Sequence, residues 1–150
     1  MIAVRDWARI SCAVVYHNRR VSDIPADLSA EAALLLGIVR DADKLDIMDL
    51  VLQAVARDGF SELPGMLPHI GLNRDLTPAV IEEVLKTKTV SIGNLRTVTD
   101  FLVMTASWFY DLNHAPARRL AAERNFIGRI ERELPDAGAV RELLTDIEKM

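Results

Sequence analysis

Apolar residues recur at helical spacing along almost the whole chain and alternate with polar ones for no more than a few residues anywhere. Ile2 to Tyr16 mixes apolar and charged positions in this rhythm and reads as a helix. The stretch RRVSDIPADLS after it holds Pro25 and many polar residues, which marks a loop. Ser29 is a natural N-cap with Glu31 in the first turn, and the helix it starts should run through Arg57 until Asp58-Gly59 stops it. FSELPGMLPHIGLNRDLT, with Pro64 and Pro68, reads as an irregular crossing. Thr77-Pro78 opens a short helix from Ala79 to Lys86, and TKTVSIG, Thr87 to Gly93, stays a loop for want of a partner strand. Leu95, Val98, Leu102, Thr105, Phe109 and Leu112 fit one long helix over Asn94 to Asn113. Pro116 opens another that ends near Leu134-Pro135, and Asp136 should cap a last one through Glu148. The pattern predicts an all-α bundle of about six helices.

The second helix is unusual. Leu34, Ile38, Ala42, Leu45, Met48 and Leu52 form one apolar stripe, and Leu36, Val39, Ile47 and Leu50 form another, so burial on most sides is expected. Asp41, Asp43 and Asp46 interrupt this run, and Asp43 falls within the second stripe. A carboxylate there must be paired, hydrogen-bonded, metal-bound or protonated, because burying it alone costs several kcal/mol. For Asp41 and Asp46 the simple expectation is pairing with Arg40 or Lys44, or with Arg20 and Arg57.

Composition narrows the picture without assigning a role. At 150 residues with 50% apolar content, the chain can bury a sizeable core as one domain. A net charge of -4 gives no electrostatic case for a nucleic-acid duplex. Arg118, Arg119, Arg124, Arg129 and Arg132 are interleaved with Glu123, Glu131 and Glu133, as on a solvated helix face. Cys12 is the only cysteine, which excludes an internal disulfide and reads as a small buried hydrophobe. No signal peptide is visible and no apolar run is long enough for a membrane span, so a cytoplasmic protein with no membrane partner is expected.

A metal site without thiols needs His and carboxylate ligands, and His17, His69 and His114 are the only histidines. His69 and His114 read as surface or capping residues. His17 ends the helix just before the acidic one. Consecutive helices usually pack antiparallel, so reaching Asp43 would require the second helix to fold back along the first.

VVYHN at Val14 to Asn18, followed by IVRDADKLDI at Ile38 to Ile47, resembles the HD superfamily of metal-dependent phosphohydrolases. SWFYDLNHAPARRLAAERNFIGRI, Ser107 to Ile130, is similar to the C-terminal region of bacterial HD-domain proteins. The resemblance implies one HD-like helical domain over residues 1–150. Asp43 would be the family's distal metal-ligating Asp, and His17 an extra ligand or pocket residue. Lys44 and Arg40 would contact a phosphate. It further implies a divalent ion (Mn, Mg, Fe, Co, Ni or Zn) and a phosphorylated small molecule or nucleotide as substrate. The chain departs from the family in lacking a His-Asp dyad: Asn follows His17, Ile follows His69 and Ala follows His114. The family's first His and its dyad would belong to helices N-terminal to Ile2, so a truncated relative is expected. Two functions follow from different classes. One is phosphate-ester hydrolysis with most metal ligands missing. The other is a non-catalytic interaction or oligomerisation module, with the open sides of the first two helices covered in a homo-oligomer.

Overall fold

Ser29 starts the longest element. Its Oγ accepts the Ala32 N–H at 3.2 Å, capping a helix that runs through Asp58. Gly59 ends it in the left-handed region at φ 71°, donating to Val55, while Phe60 donates to Ala54, so the last carbonyls are closed off in a Schellman arrangement. A computed structural model describes residues 4–150 except for the Arg5 side chain, and its helices are α1 Val4–Tyr16, α2 Ala30–Asp58, α3 Leu63–Met66, α4 Pro78–Thr87, α5 Val98–Ser107, α6 Ala115–Glu123, α7 Phe126–Glu131 and α8 Gly138–Glu148. No strand occurs among the described residues, so the fold is all-α, and six of these helices are seven or more residues long.

The core gathers around α5, every residue of which is buried. The second half of α2 (Leu45, Met48, Val51, Leu52, Val55) lies in this core with α4, α7 and α8. Each such side chain contributes about 1.5–3 kcal/mol on burial. Asp100, fully buried at the start of α5, fixes the approach of α4: its carboxylate accepts the Thr77 N–H at 2.9 Å, the Thr77 hydroxyl at 2.6 Å and the Arg96 N–H at 2.9 Å.

Three expectations for the C-terminal half change. The single helix over Asn94 to Asn113 is instead a 3-10 turn at Ile92–Asn94, then α5, then a second 3-10 turn at Trp108–Asp111. Thr97 is the N-cap, its Oγ accepting the Asp100 N–H, so the helix starts later than the apolar spacing suggests. The helix expected from Pro116 to Leu134 breaks at Asn125, which adopts the left-handed conformation at φ 50° that Asn tolerates better than most residues. Asp136 does not cap α8; Ala137 occupies that position without a side-chain bond, and Asp136 pairs with Arg141.

α1 lies outboard of this core. Its buried Ala13, with Ala32 and Leu36 of α2, is not part of the main apolar cluster. The two helices run in the same direction rather than antiparallel: Arg9 of α1 is 3.5 Å from Glu31 near the start of α2, and the end of α1 reaches Arg40 nine residues further along. The segment between Tyr16 and Ser29 therefore returns along the pair. α2 is also less enclosed than its two apolar stripes suggest, since Leu34, Ile38 and Leu50 stand 50–57% exposed. Ile38 lines a groove described below.

Candidate functional site: a polar seam and the groove beside it

A polar cluster forms where one face of α2 meets the junction between the Trp108–Asp111 turn and α6. Gly37, Arg40, Asp41 and Lys44 recur at the i, i+3, i+4 and i+7 spacing of one helix face. Asp111, Asn113 and His114 come down onto them.

Arg40 is almost fully buried and closes the end of α1. Its Nη1 donates to the carbonyls of Tyr16, His17 and Arg19 at 3.3, 3.1 and 2.7 Å, while Nη2 donates to Asp111 at 2.6 Å. Terminal helix carbonyls have no partners within their own helix, and a cation there also opposes the negative end of the helix dipole. Lys44 joins Asp111 at 2.9 Å. Both cations proposed for phosphate contact are thus engaged with a single carboxylate.

Asp41, 3% exposed, accepts four hydrogen bonds. One oxygen takes the Asn113 N–H at 2.8 Å and the Asn113 side-chain amide at 2.9 Å. The other takes the His114 N–H at 2.9 Å and the ring Nδ1 at 2.8 Å. Burial pushes this carboxyl up, but the four donors outweigh burial and hold it below the ordinary carboxylate value. An ionised carboxylate only accepts, so Nδ1 carries the proton and Nε2 is left for other partners. Asp41 therefore does not pair with Arg40, Lys44, Arg20 or Arg57; it tethers the start of α6, for which His114 is the N-cap residue.

Gly37 makes this seam possible. A Cβ built there would lie 2.7 Å from His114 Cε1, a separation that non-bonded carbons do not adopt. A side chain on the residue one turn before Asp41 would displace the ring that Asp41 holds.

Beyond the seam, a groove of about 670 Å³ opens between α2 and α6. Ile38, Ala42, Leu45 and Leu120 give it apolar walls, with His114 at one edge and Asp46 and Arg124 further along.

The remaining expected ligands lie elsewhere. Asp43 is half-buried and forms no hydrogen bond or ion pair among the described residues, instead of being locked into the interior. The His17 ring is turned to its own helix, Nδ1 lying 2.8 Å from the Val14 carbonyl. Among the described residues, no three His, Cys, Asp or Glu side chains lie close enough together to hold a metal ion. The residues present therefore do not fit the implied divalent ion. His69 is exposed, with Nε2 3.1 Å from the Ile92 carbonyl.

No family model, characterised protein or solved structure matches this chain.

His114 is the residue that sequence reasoning undervalued. Two signals pointed to it: a glycine inside a long helix, which costs about 0.5–1 kcal/mol and asks for a reason, and an Asn-His pair just before the Pro at a helix start.

Proposed function

We propose that this protein is a helical interaction module that associates with a second copy of itself through the outer face of α1. The observation that carries this reading is an apolar stripe left uncovered by the described residues. Val4, Trp7, Val14 and Val15 are 87%, 55%, 62% and 54% exposed and recur on the face of α1 turned away from α2. Ala8 and Ser11 lie between them, also exposed.

That order is self-complementary. Two copies of α1 crossing antiparallel would bring the small residues together at the centre, allowing close approach, and set Val4 and Trp7 of each against Val14 and Val15 of the other. The four large side chains present on the order of 350 Å² of apolar surface, at about 100–150 Å² for each fully exposed side chain. An interface is about 56–65% apolar, which makes this the apolar share of roughly 600 Å² per copy, at the small end for specific association. The expected dimer is therefore weak, with a Kd in the micromolar range.

The phosphohydrolase reading asks for more than these residues offer. A stable metal site normally needs three or more protein ligands, and Arg40 and Lys44 already spend their charge on Asp111. The interaction reading requires neither.

Sedimentation equilibrium tests the proposal. A monomer–dimer equilibrium with a micromolar Kd is expected, together with a shift of at least about tenfold toward monomer for Trp7→Glu, whose exposed position leaves the fold intact. A wild-type chain that stays monomeric at about 100 μM would overturn it.

A further inference from the structure

We infer that the groove between α2 and α6 is a binding site for a small cationic amphipath: a molecule with a short apolar body and a primary amine head. Its volume, about 670 Å³, lies in the range of small-molecule sites, and its composition follows their pattern of apolar walls with a few placed polar groups. Ile38 and Ala42 from α2 and Leu120 from α6 would receive the apolar body. Ile38 is half exposed in the free chain, so an occupant would remove it from water.

The head group is selected by the polar edge. The ring of His114 is oriented rather than free: Nδ1–H is held by Asp41, and Gly37 leaves room for the ring against the backbone of α2. With Nδ1–H given to Asp41, Nε2 is the ring nitrogen that faces the groove edge and can accept there, and the side chain is 31% exposed. Asp46, exposed on the same wall, is a second acceptor and carries negative charge. The groove contains two carboxylates, Asp41 and Asp46, against the single fixed cation Arg124, and Arg124 also faces the charge of Asp49. Two acceptors and a surplus of negative charge complement an ammonium group and disfavour a carboxylate.

The test uses the full ¹⁵N-labelled chain titrated separately with octylamine, octanol and octanoate below their aggregation concentrations. Octylamine should give saturable amide shifts confined to residues 38–46 and 113–124 and bind at least about tenfold tighter than octanoate, with octanol between them. His114→Asn keeps a side-chain N–H for Asp41 while removing Nε2, and should weaken octylamine about tenfold. Asp46→Asn, at an exposed position with no fold to lose, should weaken it about threefold. Ala42→Phe fills the groove from its exposed side and should abolish binding of all three probes with the thermal midpoint unchanged. Octanoate binding as tightly as octylamine, undiminished octylamine binding by Ala42→Phe, or no saturable shift with any probe would overturn the assignment.

Discussion

Replacing Gly37 by Ala sets two effects against each other. In the interior of α2, alanine should stabilise the helix by about 0.5–1 kcal/mol relative to glycine. The new methyl would lie 2.7 Å from His114 Cε1, and that ring is not free to swing away because Nδ1 is tied to Asp41 at 2.8 Å. Overpacking a fixed neighbour costs about 1–3 kcal/mol. Relief by rotating the ring would instead forfeit a hydrogen bond to a charged group, worth about 1.5–3 kcal/mol. The steric term wins by either route, and a net destabilisation of about 1–2 kcal/mol is expected. For a chain of this size that lowers the thermal midpoint by roughly 2–8 °C. In a His114→Ala background the obstacle is gone, and Gly37→Ala should stabilise by about 0.5–1 kcal/mol. Urea unfolding of the four proteins of this cycle measures a coupling of about 2 kcal/mol. If Gly37→Ala stabilises the wild-type chain, the ring is not held where the seam requires it.

Further outcomes follow from the same contacts. Asp41→Asn leaves Asn113 and His114 facing a poorer acceptor and should cost about 2–4 kcal/mol near neutral pH. Because the folded pKa of Asp41 is lowered below an unfolded value near 3.9, its contribution is present above that pH and lost as pH falls through the folded value; the gap between wild type and variant should therefore narrow below about pH 4 in urea titrations. Arg40→Ala should free the end of α1 and leave Asp111 with Lys44 alone, costing about 2–4 kcal/mol and reducing helical circular dichroism. Asp100→Ala, which strands the Thr77 and Arg96 donors at a fully buried site, should cost about 3 kcal/mol or more by the same measurement.

The helices legible in the sequence were those with chemical punctuation at both ends. α2 has Ser29 before it and Gly59 after it, and both act as caps. Apolar spacing alone was a weaker guide. It joined Leu95 to Leu112 in one helix because periodicity cannot register that Thr97 caps from within, or that Asp111 is drawn to Arg40 and Lys44 across the fold. The direction of α1 was hidden for a related reason: the deciding contact, Arg40 on three carbonyls at the end of α1, links residues more than twenty positions apart. The candidate site was legible in part. Asp41, Arg40 and Lys44 stood out as charges in an apolar run, but attention fell on Asp43, which the fold leaves without a polar partner among the described residues. His114 lies seventy-three residues from Asp41, and local spacing could not join them.

α2 is 29 residues long, about 44 Å at 1.5 Å per residue, and only its second half is embedded in the main apolar cluster. The first half instead lies between α1 and the junction before α6, held there by the contacts of Arg40 and Asp41. Amide hydrogens of α1 and of residues 30–36 should exchange through a separate, cheaper opening than those of residues 45–55. The end of α1 and the start of α6 thus share one support, the adjacent side chains of Arg40 and Asp41.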